Sequence, residues 1–200
     1  MTEPGHPPGR VLQVLRESGA VRSGHFLLTS GRHSDTYVEK FRLLERPELA
    51  GPLLGELAAR FRDDGVSVVL GPAVGGIIIA YEIARHLGAR AVFAERAEGR
   101  LTLRRGFRIE PGERCLVVED VVTTGGSLRE TLAVARGAGA DVVGVALLVD
   151  RSGGADVAPG LRVESLARIT AESWDAATCP LCAQGVPLEQ PGSRALQGGA

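Results

Sequence analysis

The sequence predicts an α/β fold built on a doubly wound parallel sheet, and two observations lead there. Short, continuous apolar runs recur along the chain at residues 66–70, 91–94, 115–118 and 142–149, and helical patterns of ten or so residues separate them. Strands that carry no polar alternation are buried on both faces, and helices between successive strands supply the cover. Ligands of such folds sit beyond the carboxyl ends of the strands, where the winding changes direction.

After a proline-rich start, Val11, Leu12 and Leu15 recur at helical spacing and Gly19 ends the first helix. Residues 21–44 mix short extended pieces with the turn-rich cluster Thr29-Ser30-Gly31-Arg32-His33-Ser34-Asp35-Thr36, which has many hydrogen-bonding groups and little to bury. Pro47 opens a second helix through Leu53, Leu54, Leu57, Ala58 and Phe61, since proline is tolerated in a first helical turn. The run at 66–70 ends in Gly71-Pro72, and Gly75-Gly76 leads into a helix over 77–87. Residues 95–113 contain Arg96, Arg100, Arg104, Arg105 and Arg108 with little apolar patterning, which predicts an exposed hairpin or loop. A helix over 127–137 precedes the longest strand, and 161–166 adds a further strand. Beyond Ser173 periodicity is lost, in a tail that contains Cys179-Pro180-Leu181-Cys182.

Two hundred residues, 44% hydrophobic and 24% charged, suit one domain that buries roughly 70% of its unfolded surface. A formal charge of −1 leaves no broad cationic field for a nucleic-acid backbone or an anionic membrane. Five Phe, two Tyr and one Trp are too few for a base-stacking platform. The apolar runs fall short of a membrane span, the first residues lack a secretion signal, and three cysteines fit a reducing compartment, so the expected address is the cytoplasm. Among 23 basic residues Lys40 is the one lysine; arginine keeps its charge at any working pH, so chemistry that needs a deprotonatable amine has one candidate.

The most informative stretch is Val117-Val118-Glu119-Asp120-Val121-Val122-Thr123-Thr124-Gly125-Gly126-Ser127. An apolar strand ends in two adjacent carboxylates, and a loop of hydroxyls and glycines then enters a helix. Backbone N–H groups, permissive glycines and a helix N-terminus together cradle a phosphate. Carboxylates beside a phosphate need something between, either sugar hydroxyls or a hydroxyl-bound Mg²⁺. A phosphorylated sugar meets both requirements. A merely capped turn with a solvated acidic pair would not need all four parts in this order, and no lysine follows the glycines as a nucleotide P-loop requires.

This stretch resembles the phosphoribosyl-pyrophosphate (PRPP) motif of the type I phosphoribosyltransferases. Phe26-Leu27-Leu28-Thr29-Ser30-Gly31-Arg32-His33-Ser34, Gly71-Pro72-Ala73-Val74-Gly75-Gly76 and Val149-Asp150-Arg151 narrow the resemblance to the orotate phosphoribosyltransferase family. Leu103-Arg104-Arg105-Gly106-Phe107 and the Cys-Pro-Leu-Cys tail look like the branch typified by Thermus enzymes. The resemblance implies one phosphoribosyltransferase domain over 1–175, with a small N-terminal hood mainly at 10–45 and a mobile lid at about 95–110, then a tail over 176–200. It implies transfer of ribose 5-phosphate from PRPP to N1 of orotate, yielding orotidine 5′-monophosphate and pyrophosphate, with substrate-bound Mg²⁺, in de novo pyrimidine biosynthesis. Glu119 and Asp120 then take the ribose hydroxyls as catalytic residues, helped by Arg96 and Arg104 of the lid. Val121, Val122, Thr123, Thr124, Gly125, Gly126 and Ser127 bind PRPP, with Gly75 and Gly76 against its pyrophosphate. Thr123, Arg151, Tyr37, Val38 and Lys40 face orotate. The lid reaches a neighbouring subunit's site, so a homodimer is implied. Better-known members carry lysines where this chain has Arg96, Arg100, Arg104, Gly75 and Thr29.

Two other readings stay open on the sequence, a salvage phosphoribosyltransferase for a purine or another pyrimidine and a non-catalytic PRPP-sensing regulator. His33 is a substrate contact or a turn histidine, and His25 and His86 are expected to be structural. Cys179 and Cys182 have zinc-ligand spacing but lack a second cysteine pair, because Cys115 lies in a predicted buried strand. A knuckle or redox pair without metal is the expectation, with a zinc shared across a dimer as the alternative.

Overall fold

The computed structural model describes residues 8–28 and 30–191. A helix α1 (Pro8–Glu17) precedes a hairpin of β1 (Val21–Leu27) and β2 (His33–Val38), and two helices, α2 (Phe41–Leu44) and α3 (Pro47–Ala59), lead into the main sheet. There follow β3 (Val68–Pro72), α4 (Gly75–Leu87), β4 (Arg90–Ala97), β5 (Arg100–Leu103), β6 (Arg114–Val122), α5 (Gly126–Gly137), β7 (Asp141–Asp150) and β8 (Val163–Arg168). A two-residue strand β9 (Ser173–Trp174) and a short helix α6 (Pro180–Ala183) end the described chain.

The main sheet has the order β5-β4-β3-β6-β7-β8, parallel except for β5, so the doubly wound expectation holds. Its central strands are buried almost throughout, as their unbroken apolar runs require. Alternate residues feed opposite faces. Val69, Leu116, Val118, Ala146 and Leu148 join the core under α1, α3 and α4, while Val68, Leu70, Val117, Val145 and Leu147 join the core under α5. Gly144 keeps Phe61 in contact with β7, because a Cβ there would lie 2.8 Å from the Phe61 ring.

The arginine-rich excursion is the β4–β5 hairpin. Ala97 pairs with Arg100, so Glu98 and Gly99 form a two-residue turn, both at positive φ (52° and 81°), which suits the twist of the flanking strands. The polar stretch after α1 departs most from expectation. It is a regular antiparallel hairpin, and β9 pairs with β2 to make a second, three-stranded sheet. The hood is therefore not N-terminal alone, because the far end of the chain supplies one of its strands.

Where the sequence predicts an aperiodic tail, the described part packs on that hood. Glu189 forms a bridge with Phe26, donating its N–H to the carbonyl of His25 and accepting from the N–H of Leu27. Thr29 and residues 192–200 lie outside the described residues. No helix among the described residues is long and apolar enough to cross a membrane.

Candidate active site

The sheet changes winding direction between β3 and β6, the two central strands that part toward opposite edges. Both are followed directly by a turn and a helix N-terminus, so the turns at 72–75 and 122–126 flank one crevice. Gly71, Gly75 and Gly76 let them approach. A side chain at Gly75 would overlap the Asp120 carboxylate, and one at Gly71 would overlap the Gly76 carbonyl. The Ala73–Val74 peptide in the first turn is cis.

Glu119 and Asp120 lie near the C-terminal end of β6, two residues before it stops at Val122, and are 4% and 8% exposed. Glu119 Oε1 accepts the N–H of Asp120 at 3.0 Å, and Asp120 Oδ1 accepts the N–H of Val121 at 2.6 Å. Glu119 Oε2 is buried without a hydrogen-bond partner. Burial, then the neighbouring Asp120 charge, push the Glu119 carboxyl up to about 7. Asp120 Oδ2 pairs with Lys40 Nζ at 2.9 Å. The one lysine of the chain, expected at the base, is thus occupied by the acidic pair and ties the segment after β2 to the end of β6.

Thr123, Thr124 and Ser127 are exposed at the mouth of the loop, and Gly125 takes a left-handed conformation (φ 75°) before α5. The first N–H groups of α5 have no carbonyl within the helix to bond. Arg129 folds back to donate to the Thr124 carbonyl at 2.8 Å, which holds the loop against its helix.

Arg151 follows β7, whose Asp150 pairs with Val122, so Arg151 lies alongside the start of the hydroxyl-glycine loop. Its guanidinium is half-buried beneath the hood and makes long hydrogen bonds to Ser34 Oγ (3.5 Å) and the Thr36 carbonyl (3.4 Å). Neither bond is strong, which leaves most of the planar fork free for a carboxylate. Ser34 and Thr36 thus belong to this corner, although neither was named as a site residue from the sequence. Val38 and Tyr37, the two residues of β2 expected at the base, make packing contacts within the chain. Val38 packs on the main core, and Tyr37 lies against Phe26 with ring centroids 5.6 Å apart.

Arg96 pairs with Glu130 of α5 and donates to the Gly99 carbonyl, while Arg104 and Arg105 pair with Glu95. Among the described residues no hydrogen bond or ion pair joins these arginines to Glu119, Asp120 or Arg151. Two open surface clefts, one beside Leu132 and Pro159 and one beside Ser18 and Arg46, are lined by none of the three.

The family model for the phosphoribosyl transferase domain matches residues 48–176. The orotate phosphoribosyltransferase of Pelotomaculum thermopropionicum is 53% identical over 186 residues, 93% of this chain and 97% of that protein. The chain belongs to the orotate phosphoribosyltransferase family. Among solved structures, the orotate phosphoribosyltransferase of Aeropyrum pernix superposes with a TM-score of 0.66 at 30% identity, covering 80% of this chain and 93% of that one. The Mycobacterium tuberculosis orotate phosphoribosyltransferase, solved in complex with 5-phospho-α-D-ribosyl 1-diphosphate, gives 0.62 at 30% identity, over 80% of this chain and 95% of that one. In this family member the acidic pair, the hydroxyl-glycine loop and Arg151 are all present and converge on one crevice.

Two substitutions probe the electrostatics. The folded chain keeps a proton on Glu119 that the unfolded chain releases between pH 4.5 and about 7, so this group's contribution to stability falls as pH rises through that window. Glu119→Gln is expected to raise the stability of the substrate-free protein at pH 8 by about 1–3 kcal/mol. That gain should fade towards pH 5, and urea unfolding at the two pH values measures it. Lys40→Met is expected to raise KM for the phosphoribosyl donor more than KM for the base; the reverse order would return Lys40 to the base pocket.

Proposed function

We infer that this chain transfers the 5-phosphoribosyl group of PRPP to N1 of orotate, yielding orotidine 5′-monophosphate and pyrophosphate. The observation that carries the reading is a buried acidic pair with an unpartnered oxygen, Glu119 Oε2, beside a glycine-rich helix N-terminus. Ribose hydroxyls donate to the carboxylates, and the 5′-phosphate takes the N–H groups of Thr124 to Ser127. The turn at Gly75 and Gly76 then faces the pyrophosphate. Arg151, half-buried and weakly engaged, holds the orotate carboxylate and aims N1 at C1′.

In the reaction the bond from C1′ to the pyrophosphate oxygen breaks, the electron pair leaves with pyrophosphate, and N1 forms the new bond as its proton is released. Positive charge develops on the ribose, where Glu119 and Asp120 stabilise it through the hydroxyls they hold. Magnesium enters as part of the substrate and offsets charge on the leaving group. The Glu119 oxygen without a partner is an acceptor that the hydroxyls of such a magnesium-bound ribose fit.

Arg96 and Arg104 are proposed to meet the pyrophosphate of a neighbouring subunit, in a cytoplasmic homodimer. Their present partners, Glu130 and Glu95, are given up at small cost, because exposed ion pairs contribute about 0–1 kcal/mol. A closed arginine lid also keeps water from the cationic sugar.

Incubation of a panel of bases with PRPP and Mg²⁺ tests the reaction. Orotate is expected to turn over far faster than uracil, hypoxanthine or adenine, and turnover of a neutral base with none of orotate would overturn the reading. The shared lid has its own test. Arg104→Ala and Asp120→Asn are each expected to lose about 10–100-fold in turnover. Mixed after dissociation and reassociation, they should regain part of that activity, since one hybrid site has both a wild-type lid and a wild-type acidic pair; no recovery would confine the lid to its own chain.

A further inference from the structure

Four side chains that the transfer chemistry does not use converge on the outer side of the hood. They are His25 of β1, His33 of β2, Cys179 just before α6 and Cys182 within it, and one donor atom from each lies within 4.8 Å of all the others. His25 Nε2 is 2.9 Å from His33 Nδ1, 3.4 Å from Cys179 Sγ and 3.8 Å from Cys182 Sγ, and Cys182 Sγ is 3.3 Å from His33 Nδ1. We propose that these residues form a closed, structural zinc site of the Cys₂His₂ type within a single chain. All four lie outside residues 48–176, the part matched by the family model.

The distances suit that ion. Zinc–nitrogen bonds of about 2.0–2.1 Å and zinc–sulfur bonds of about 2.3 Å at tetrahedral angles place two nitrogens about 3.3 Å apart and a nitrogen and a sulfur about 3.6 Å apart. The observed separations scatter around these values. The supporting shell is also in place. His25 Nδ1 lies 2.8 Å from the Val186 carbonyl, an acceptor that requires the proton on Nδ1 and leaves the Nε2 lone pair aimed into the cluster. That carbonyl is delivered by the fold of the knuckle itself. Ala183 donates to the Cys179 carbonyl, Gly185 to Cys182 and Val186 to Leu181, so the chain reverses and returns Val186 to His25.

Without a cation, the cluster brings two imidazoles and two sulfurs, all lone-pair carriers, to one largely buried point. His25, His33 and Cys179 are 2%, 5% and 3% exposed. A soft divalent ion satisfies all four at once, and four protein ligands leave no open position for a reacting water. The site is thus a staple rather than a second catalytic centre. It joins a hairpin near the start of the chain to the segment beyond residue 178, on the sheet whose next residue, Ser34, touches Arg151.

The spacing Cys-x-x-Cys was legible in the sequence, but its partners were not. They are histidines about 150 positions away, so neither the missing second cysteine pair nor a dimer-shared site describes the arrangement seen.

Elemental analysis of the full-length protein, purified without chelator from a zinc-replete reducing host, is expected to find about one zinc per chain. Cobalt substitution should give intense tetrahedral d–d bands with thiolate-to-metal charge transfer. Cys182→Ser and His33→Ala should each lower the zinc content several-fold, and Cys182→His should retain it even if Cys182→Ser folds poorly. Cys115→Ser should leave it unchanged, since burial pushes the Cys115 thiol up to about 12 and places it in β6. Zinc-free protein, a Cys179–Cys182 disulfide under these conditions, or half a zinc per chain insensitive to His33→Ala would overturn the proposal.

Discussion

Two consecutive carboxylates at the end of a central strand, both nearly out of reach of water, are costly for any fold to hold. Here the cost is met only in part. The Val121 N–H and Lys40 support Asp120, whereas Glu119 keeps one oxygen without a partner. Much of the surrounding structure follows from that imbalance. Gly75 is bare because Asp120 occupies the space a side chain would need, and the segment after β2 bends so that the one lysine reaches the same carboxylate. The crevice is assembled around this acidic pair.

Basic residues divide by what they must do. Arg151 is held loosely and half-buried, and its planar guanidinium is suited to the two-point contact with a carboxylate proposed above. The hairpin arginines are exposed and paired with Glu95 and Glu130, an arrangement that keeps them ordered yet easily redirected. Lys40, as a compact point charge, suits a single carboxylate oxygen inside a narrow gap.

Legibility in the sequence followed the range of the interactions. The strands at 115–118 and 142–149 are plain because burial on both faces leaves an unbroken apolar run, and Glu119 to Ser127 is plain because strand, acid pair, loop and helix are contiguous. The β1–β2 hairpin is obscure for the opposite reason. His25, Ser34 and Asp35 break any apolar pattern, and what stabilises the hairpin comes from Trp174, Glu189, Cys179 and Cys182, far along the chain. Lys40 was read as a base contact from its proximity in sequence to the turn-rich segment; its ion pair with Asp120, across 80 positions, carried no local signal. The packing partners of Val38 and Tyr37, the main core and Phe26, were likewise not legible from the segment alone.

The path of the last described residues has one more consequence. A lone two-stranded hairpin exposes unpaired backbone on both outer edges, an invitation to pair with other chains and aggregate. Here β9 lies along the edge of β2 while Glu189 bonds beside β1, so the same C-terminal segment blunts both edges. Removing that segment would strip the hairpin of its guards as well as its knuckle, and solubility, rather than catalysis, would be the first property to suffer.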